Sequence, residues 1–95
     1  MIDKIADKLA PEKRFYFVSF DIPEKMRRNR DSFRRTIKRL GFREIQKSLW
    51  ACNKNAGKYV EMAAIEYGVA NFVVYIASDN TNVNSTLIEK IAEVV

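Results

Sequence analysis

The chain has 95 residues, 47% of them apolar, and a net charge of +5 at neutral pH. That is enough for one small domain with a modest core, residues 1–95 forming a single unit. Histidine is absent and Cys52 is the one cysteine, which excludes histidine-based acid–base catalysis, Ser–His and Cys–His nucleophile pairs, histidine-containing zinc sites and an internal disulfide.

A lone cysteine fits a reducing, cytoplasmic setting. No apolar run approaches the roughly 18 residues that span a bilayer, and the first ten residues, with Asp3 and Asp7, lack the apolar stretch of a secretory signal. No membrane partner is expected. The charge is concentrated. Residues 25–47 hold ten basic side chains against Asp31 and Glu44, so the rest of the chain is net acidic. Such a concentration suits a phosphate backbone, DNA or RNA. A solvated basic helix face without a ligand is the alternative.

In chain order, Ile2, Ile5, Ala6 and Leu9 have helical spacing, and Pro11 ends it, so residues 2–10 are expected to form a short helix. Residues 15–21 (Phe-Tyr-Phe-Val-Ser-Phe-Asp) are aromatic and β-branched with little polar interruption, the pattern of a central strand buried on both faces. Pro23 closes the strand. Met26, Phe33, Ile37 and Leu40 then fall on one side of a helix, with Arg27, Arg28, Arg34, Arg35 and Lys38 on the other. Asp31 is placed to pair with Arg27 or Arg35 at i±4, and Gly41 is the expected C-cap.

Residues 42–53 are a second β region of two short strands, with the break near Gln46, Lys47 and Ser48. Residues 56–67 read as a helix stopped by Gly68, and residues 71–77 as another apolar strand. A polar turn follows. Thr86 and Glu89 then form a capping box ahead of a closing helix over about residues 85–94, its apolar face made by Leu87, Ile88 and Ile91. The order strand, helix, two strands, helix, strand predicts an α+β, ferredoxin-like βαββαβ domain with an antiparallel sheet, its core at about residues 13–78. That architecture alone assigns no activity.

Few side chains carry chemistry. Asp21 stands at a strand end before a proline turn. One carboxylate holds Mg²⁺ or Mn²⁺ poorly, but two copies across a twofold axis offer two to one ion, which can then polarise a phosphodiester. Asp21 as a helix cap is the plainer reading. Glu24 is either a second acidic ligand or a first-turn residue favoured by the helix dipole. Ser19 and Ser48 have no base to activate them. Gln46, Lys47 and Ser48 interrupt apolar neighbours, either to satisfy a bend in the strand or to meet phosphates or a partner subunit. Trp50 belongs to the core or to a dimer interface. Arg27, Arg28, Arg34, Arg35, Lys38 and Arg39 would contact phosphates and not bases, giving salt-sensitive binding with little sequence preference.

Three pieces in order carry a resemblance: Phe20-Asp21-Ile22-Pro23-Glu24, the helix with Arg27, Arg28 and Arg30, and Gly41-Phe42 followed by Ile45-Gln46-Lys47-Ser48-Leu49-Trp50. Together they resemble the CRISPR-associated protein 2 superfamily, the small subunit of the spacer-acquisition complex. They are at least as similar to the related central domain of the PaaX repressor family. The resemblance covers residues 13–78. It implies a ferredoxin-like homodimer. It also implies that Asp21 matches the metal-binding aspartate of nuclease-active CRISPR members, a Mg²⁺- or Mn²⁺-dependent endonuclease, and that the dimer bridges two copies of the CRISPR integrase and holds duplex DNA. The PaaX side of the resemblance implies instead a non-enzymatic dimerisation domain of a transcription regulator. CRISPR members usually end in an extra strand, whereas residues 84–95 here have helical spacing. PaaX-type regulators carry a winged helix ahead of this domain, whereas about a dozen residues precede the first strand here.

Overall fold

The computed structural model describes residues 9–78. The helices expected over 2–10 and 85–94 lie outside those residues, apart from Leu9 and Ala10, which are irregular. Strand β1 (Pro11–Phe20) leads into a 3₁₀ turn (Glu24–Met26) and helix α1 (Arg27–Arg39). Strands β2 (Arg43–Gln46) and β3 (Leu49–Lys54) form a hairpin, followed by helix α2 (Gly57–Glu66), a second 3₁₀ turn (Ala70–Phe72) and strand β4 (Val73–Ser78). The four described strands are antiparallel in the order β2-β3-β1-β4. This is the ferredoxin-like arrangement of an α+β domain.

Both helices lie on one face of the sheet. Phe33, Ile37 and Leu40 of α1 are fully buried, and with Val60, Ala63 and Ala64 of α2 they join Tyr16, Val18, Phe20, Trp50 and Cys52 in one core. Burying each large apolar side chain of this kind stabilises by about 1.5–3 kcal/mol. Phe20 packs edge-on against Phe33 and stacks on Trp50, with ring centroids 5.2 and 6.3 Å apart. The helices are tied to each other where the Asn29 Nδ2 donates to the Tyr67 carbonyl at 2.8 Å.

The opposite face holds a second, smaller cluster, Phe17 and Ala51 packed with Phe15, Ile45 and Leu49, to which no described helix contributes. Register puts more apolar residues there. Phe17 pairs with Ile76, and Ser19 with both Val74 and Leu49, so these share a face. The central strand is thus buried on both sides at Tyr16, Phe17 and Val18, as its composition predicts.

Both helices end on glycine in the same way. Phe42 N–H donates to the Ile37 carbonyl and Gly41 N–H to that of Lys38, while Val69 and Gly68 do the same to Ala64 and Ile65. Gly41 at φ +109° and Gly68 at φ +70° occupy the left-handed position that such a Schellman end requires.

Several boundaries differ from expectation. β1 starts at Pro11, not residue 15, because Pro11 finds a partner in Lys54 beyond a register irregularity. It ends at Phe20, so Asp21 is just past it. Residues 70–72 coil into a 3₁₀ turn, so β4 begins at Val73. Helix α2 is one residue shorter at each end than 56–67. None of the described helices is long and apolar enough to cross a membrane.

Candidate nucleic-acid interface and strand-end cleft

Helix α1 owes its two-sidedness to its spacing. With Phe33, Ile37 and Leu40 turned inward, Arg27, Arg28, Arg34, Arg35, Lys38 and Arg39 are all exposed. They form two rows. Arg30, Arg34 and Lys38, at i, i+4 and i+8, run along the flank nearest β3, where the Lys38 ammonium lies 6.0 Å from the Trp50 ring centre. Arg28, Arg35 and Arg39 line the other side. Arg28 and Arg34 have no partner among the described residues, whereas Arg35 donates to the Ser32 hydroxyl at 3.3 Å.

Asp31 pairs with neither Arg27 nor Arg35. It lies 3.8 Å from the Nε of Arg30 instead. Arg27 turns to Glu24 at 3.5 Å, and Arg30 Nη1 donates to the other Glu24 oxygen at 3.0 Å. Glu24 is therefore part of the 3₁₀ turn ahead of α1, with its two carboxylate oxygens turned to two arginines. Exposed pairs such as Glu24 with Arg27 contribute little to stability, and here both lie within the 3₁₀ turn and the first turn of α1.

Asp21 is exposed, and its backbone N–H donates to the Phe72 carbonyl at 3.0 Å. It caps nothing, since the residues preceding the 3₁₀ turn and α1 are Pro23 and Met26, neither with a side-chain cap. Its carboxylate opens into a cleft of about 190 Å³ shared with Arg30, Arg34, Lys47, Ser48 and Glu44, above an apolar floor that includes Trp50. This cleft joins strand end, helix and hairpin, drawing together residues that are far apart in the chain.

The hairpin turn is Lys47–Ser48, closed by the pair Gln46 and Leu49, so the break falls among the three residues expected to contain it. Ser48 takes φ +67°, the left-handed conformation that a type II turn normally gives to Gly or Asn. Gln46 and Lys47 are exposed beside it. Trp50, 3% exposed, is core. Tyr59, Tyr67 and Tyr75 pack against the same core.

A divalent ion does not fit one copy of this cleft. Asp21 meets it in the company of Arg30, Arg34 and Lys47, whose charges oppose a cation, and no group of three acidic or cysteine side chains lies together among the described residues. Arg30 entered the sequence reading only through the resemblance, and Glu44 not as a site candidate at all. The i, i+4 relation of Arg30 to Arg34 is the signal that points to the first.

Cys52 is sealed in the core. Its thiol donates to the Lys54 carbonyl at 3.2 Å, and burial pushes its pKa up to about 11, which makes it a poor nucleophile.

No curated protein and no solved structure matches the chain significantly. Residues 10–88, spanning every element from β1 to β4, match the family model of the PaaX protein central Cas2-like domain, and the chain belongs to that family.

Proposed function

We propose that the chain is the self-pairing, nucleic-acid-contacting module of a PaaX-type transcription regulator, without catalytic activity of its own. The observation that carries this reading is the apolar sheet face that no described helix covers. Val74 and Ile76 stand 57% and 52% exposed there, beside Phe17 and Leu49. Apolar patches of this kind mark interaction sites. A second copy is the occupant that fits, because a twofold pairing sets the patch against its own like, with Arg43 at its margin. The family match supports the same reading, since the model it fits is the central domain of a regulator.

Pairing sheet to sheet leaves the helices of both copies outward. The arginine rows of the two α1 helices then stand on opposite sides of the pair, free to meet phosphates. Such contacts set affinity and position but read no bases. Sedimentation analysis tests the pairing. Wild-type protein should run as a dimer at micromolar concentration, and Val74→Asp with Ile76→Asp should run as a monomer with unchanged circular dichroism. A wild-type monomer, or a double variant that remains dimeric, refutes this face as the interface.

One observation favours a second reading. The Asp21 carboxylate is exposed and unpaired among the described residues, as a CRISPR adaptation subunit would need if two copies, bridging the integrase, shared Mg²⁺ or Mn²⁺ for phosphodiester cleavage. Cleavage of DNA or RNA that requires Mn²⁺, stops with EDTA and disappears in Asp21→Ala would select it over the regulator.

A further inference from the structure

The cleft beside Asp21 has chemistry that backbone binding along α1 leaves unused. Its cations converge from two elements. Arg30 and Arg34 stand one helical turn apart on α1, and Lys47 reaches it from the hairpin turn. Arg34 and Lys47 have no ion pair among the described residues, although Asp21 and Glu44 share the lining. Arg30 is held by Glu24 through Nη1, while its Nε is buried and lacks a hydrogen-bond acceptor, Asp31 being 3.8 Å away. Ser48, at φ +67° in the hairpin turn, brings a hydroxyl with no partner among the described residues.

We infer that this cleft seats the terminal phosphate of a nucleic-acid strand, with Arg34 and Lys47 as its charge partners and Arg30 and Ser48 as donors. Three cations suit the dianion of a phosphate monoester better than the single charge of a diester. A volume of about 190 Å³ holds a phosphate and part of its sugar but not a continuous strand. Asp21 and Glu44 act against the anion and keep the seat weak, so each is a brake on binding and not a ligand. This inference rests on the nucleic-acid reading for the source of the phosphate, while the seat itself is tested separately.

Trp50 is the only tryptophan and lines the cleft, so its fluorescence reports on occupancy. Inorganic phosphate should change it saturably. Lys47→Ala and Arg34→Ala should each weaken that binding about tenfold, and Asp21→Asn should tighten it, the opposite sign from loss of a metal ligand. A duplex with a 5′-phosphate should bind severalfold more tightly than the same duplex with a 5′-hydroxyl, and Arg28→Glu should lower both affinities without changing their ratio. No saturable response to phosphate, or one that survives both alanine variants, overturns the seat. A response to inorganic phosphate with equal affinity for the two duplexes overturns the strand end as its source. Phosphate binding without any binding of duplex leaves the seat standing and removes the nucleic-acid reading.

Discussion

Gly57 lies so close under the ring of Tyr75 that a Cβ on Gly57 would stand 2.8 Å from the ring carbons Cε2 and Cζ and 2.9 Å from the hydroxyl oxygen. The ring also stacks on Tyr16 with centroids 6.2 Å apart, so moving it aside disturbs that contact. Gly57 opens α2, where alanine normally helps a helix by about 1 kcal/mol relative to glycine. Here Gly57→Ala should instead destabilise by about 1–3 kcal/mol through overpacking. Urea unfolding measures it, and Tyr75→Ala in the Gly57→Ala background should show strong non-additivity, because the clash then disappears.

Gly41 makes the complementary case. A Cβ there would meet nothing closer than the Lys54 Cδ at 3.6 Å, so space is not the obstacle. The φ of +109° is. Gly41→Ala should lose about 1–2 kcal/mol from backbone conformation alone, and a further substitution at Lys54 should not restore it. Thermal or urea unfolding of both variants separates this from the steric effect at Gly57.

Stability should fall in alkali through Cys52. An ordinary thiol titrates near 9.0, whereas burial raises the folded-state value to about 11. Between those values the unfolded chain releases the proton and the folded chain keeps it. The unfolded state then binds fewer protons, so stability declines as pH rises from 9 toward 11. The two-unit difference corresponds to a loss of about 2–3 kcal/mol. Burial of Tyr75, and the hydrogen bond from Tyr16 to Glu12, raise those two phenols and extend the decline to higher pH. Cys52→Ala should flatten the profile between pH 9 and 10, where the two phenols do not yet contribute, and make it shallower between 10 and 11, without changing its course below 8, as denaturant titrations across pH would show.

The outward row of α1 should set the salt dependence of nucleic-acid binding. If Arg28 and Arg35 each neutralise one phosphate, replacing both with alanine should lower the slope of log affinity against log salt by about 2. Affinity should fall to a similar extent on unrelated duplexes. Fluorescence anisotropy over a salt series measures both. An unchanged slope would move the phosphate contacts to another surface.

How much of this was legible in the chain depends on how far apart the determinants lie. Helix α1 could be read because its apolar residues recur every three or four positions and Gly41 marks its end, all within one segment. The first four residues of β1 could not, because Glu12, Lys13 and Arg14 carry no strand pattern. Their conformation follows from Lys54, some forty positions on. Asp31 had two plausible arginines at i±4, but Arg30, its neighbour in sequence, is the one that approaches. The cleft was hidden for the same reason as the strand start. Asp21, Arg34 and Lys47 are brought together only by the packing of α1 on the sheet and by the turn between β2 and β3. Lys47 and Ser48 did show as a polar break, and the geometry resolves that break into a turn whose residues also border the cleft.

The burial of Cys52 has a practical side. Because the chain's only sulfhydryl faces the helix-covered core, the native sequence is already silent to maleimides and spin labels at neutral pH. Arg28→Cys, on the exposed side of α1 and away from the uncovered sheet face, would be the single reactive handle, and the separation between two such handles in an assembled pair could be read by electron–electron double resonance without first stripping the protein of its own thiol.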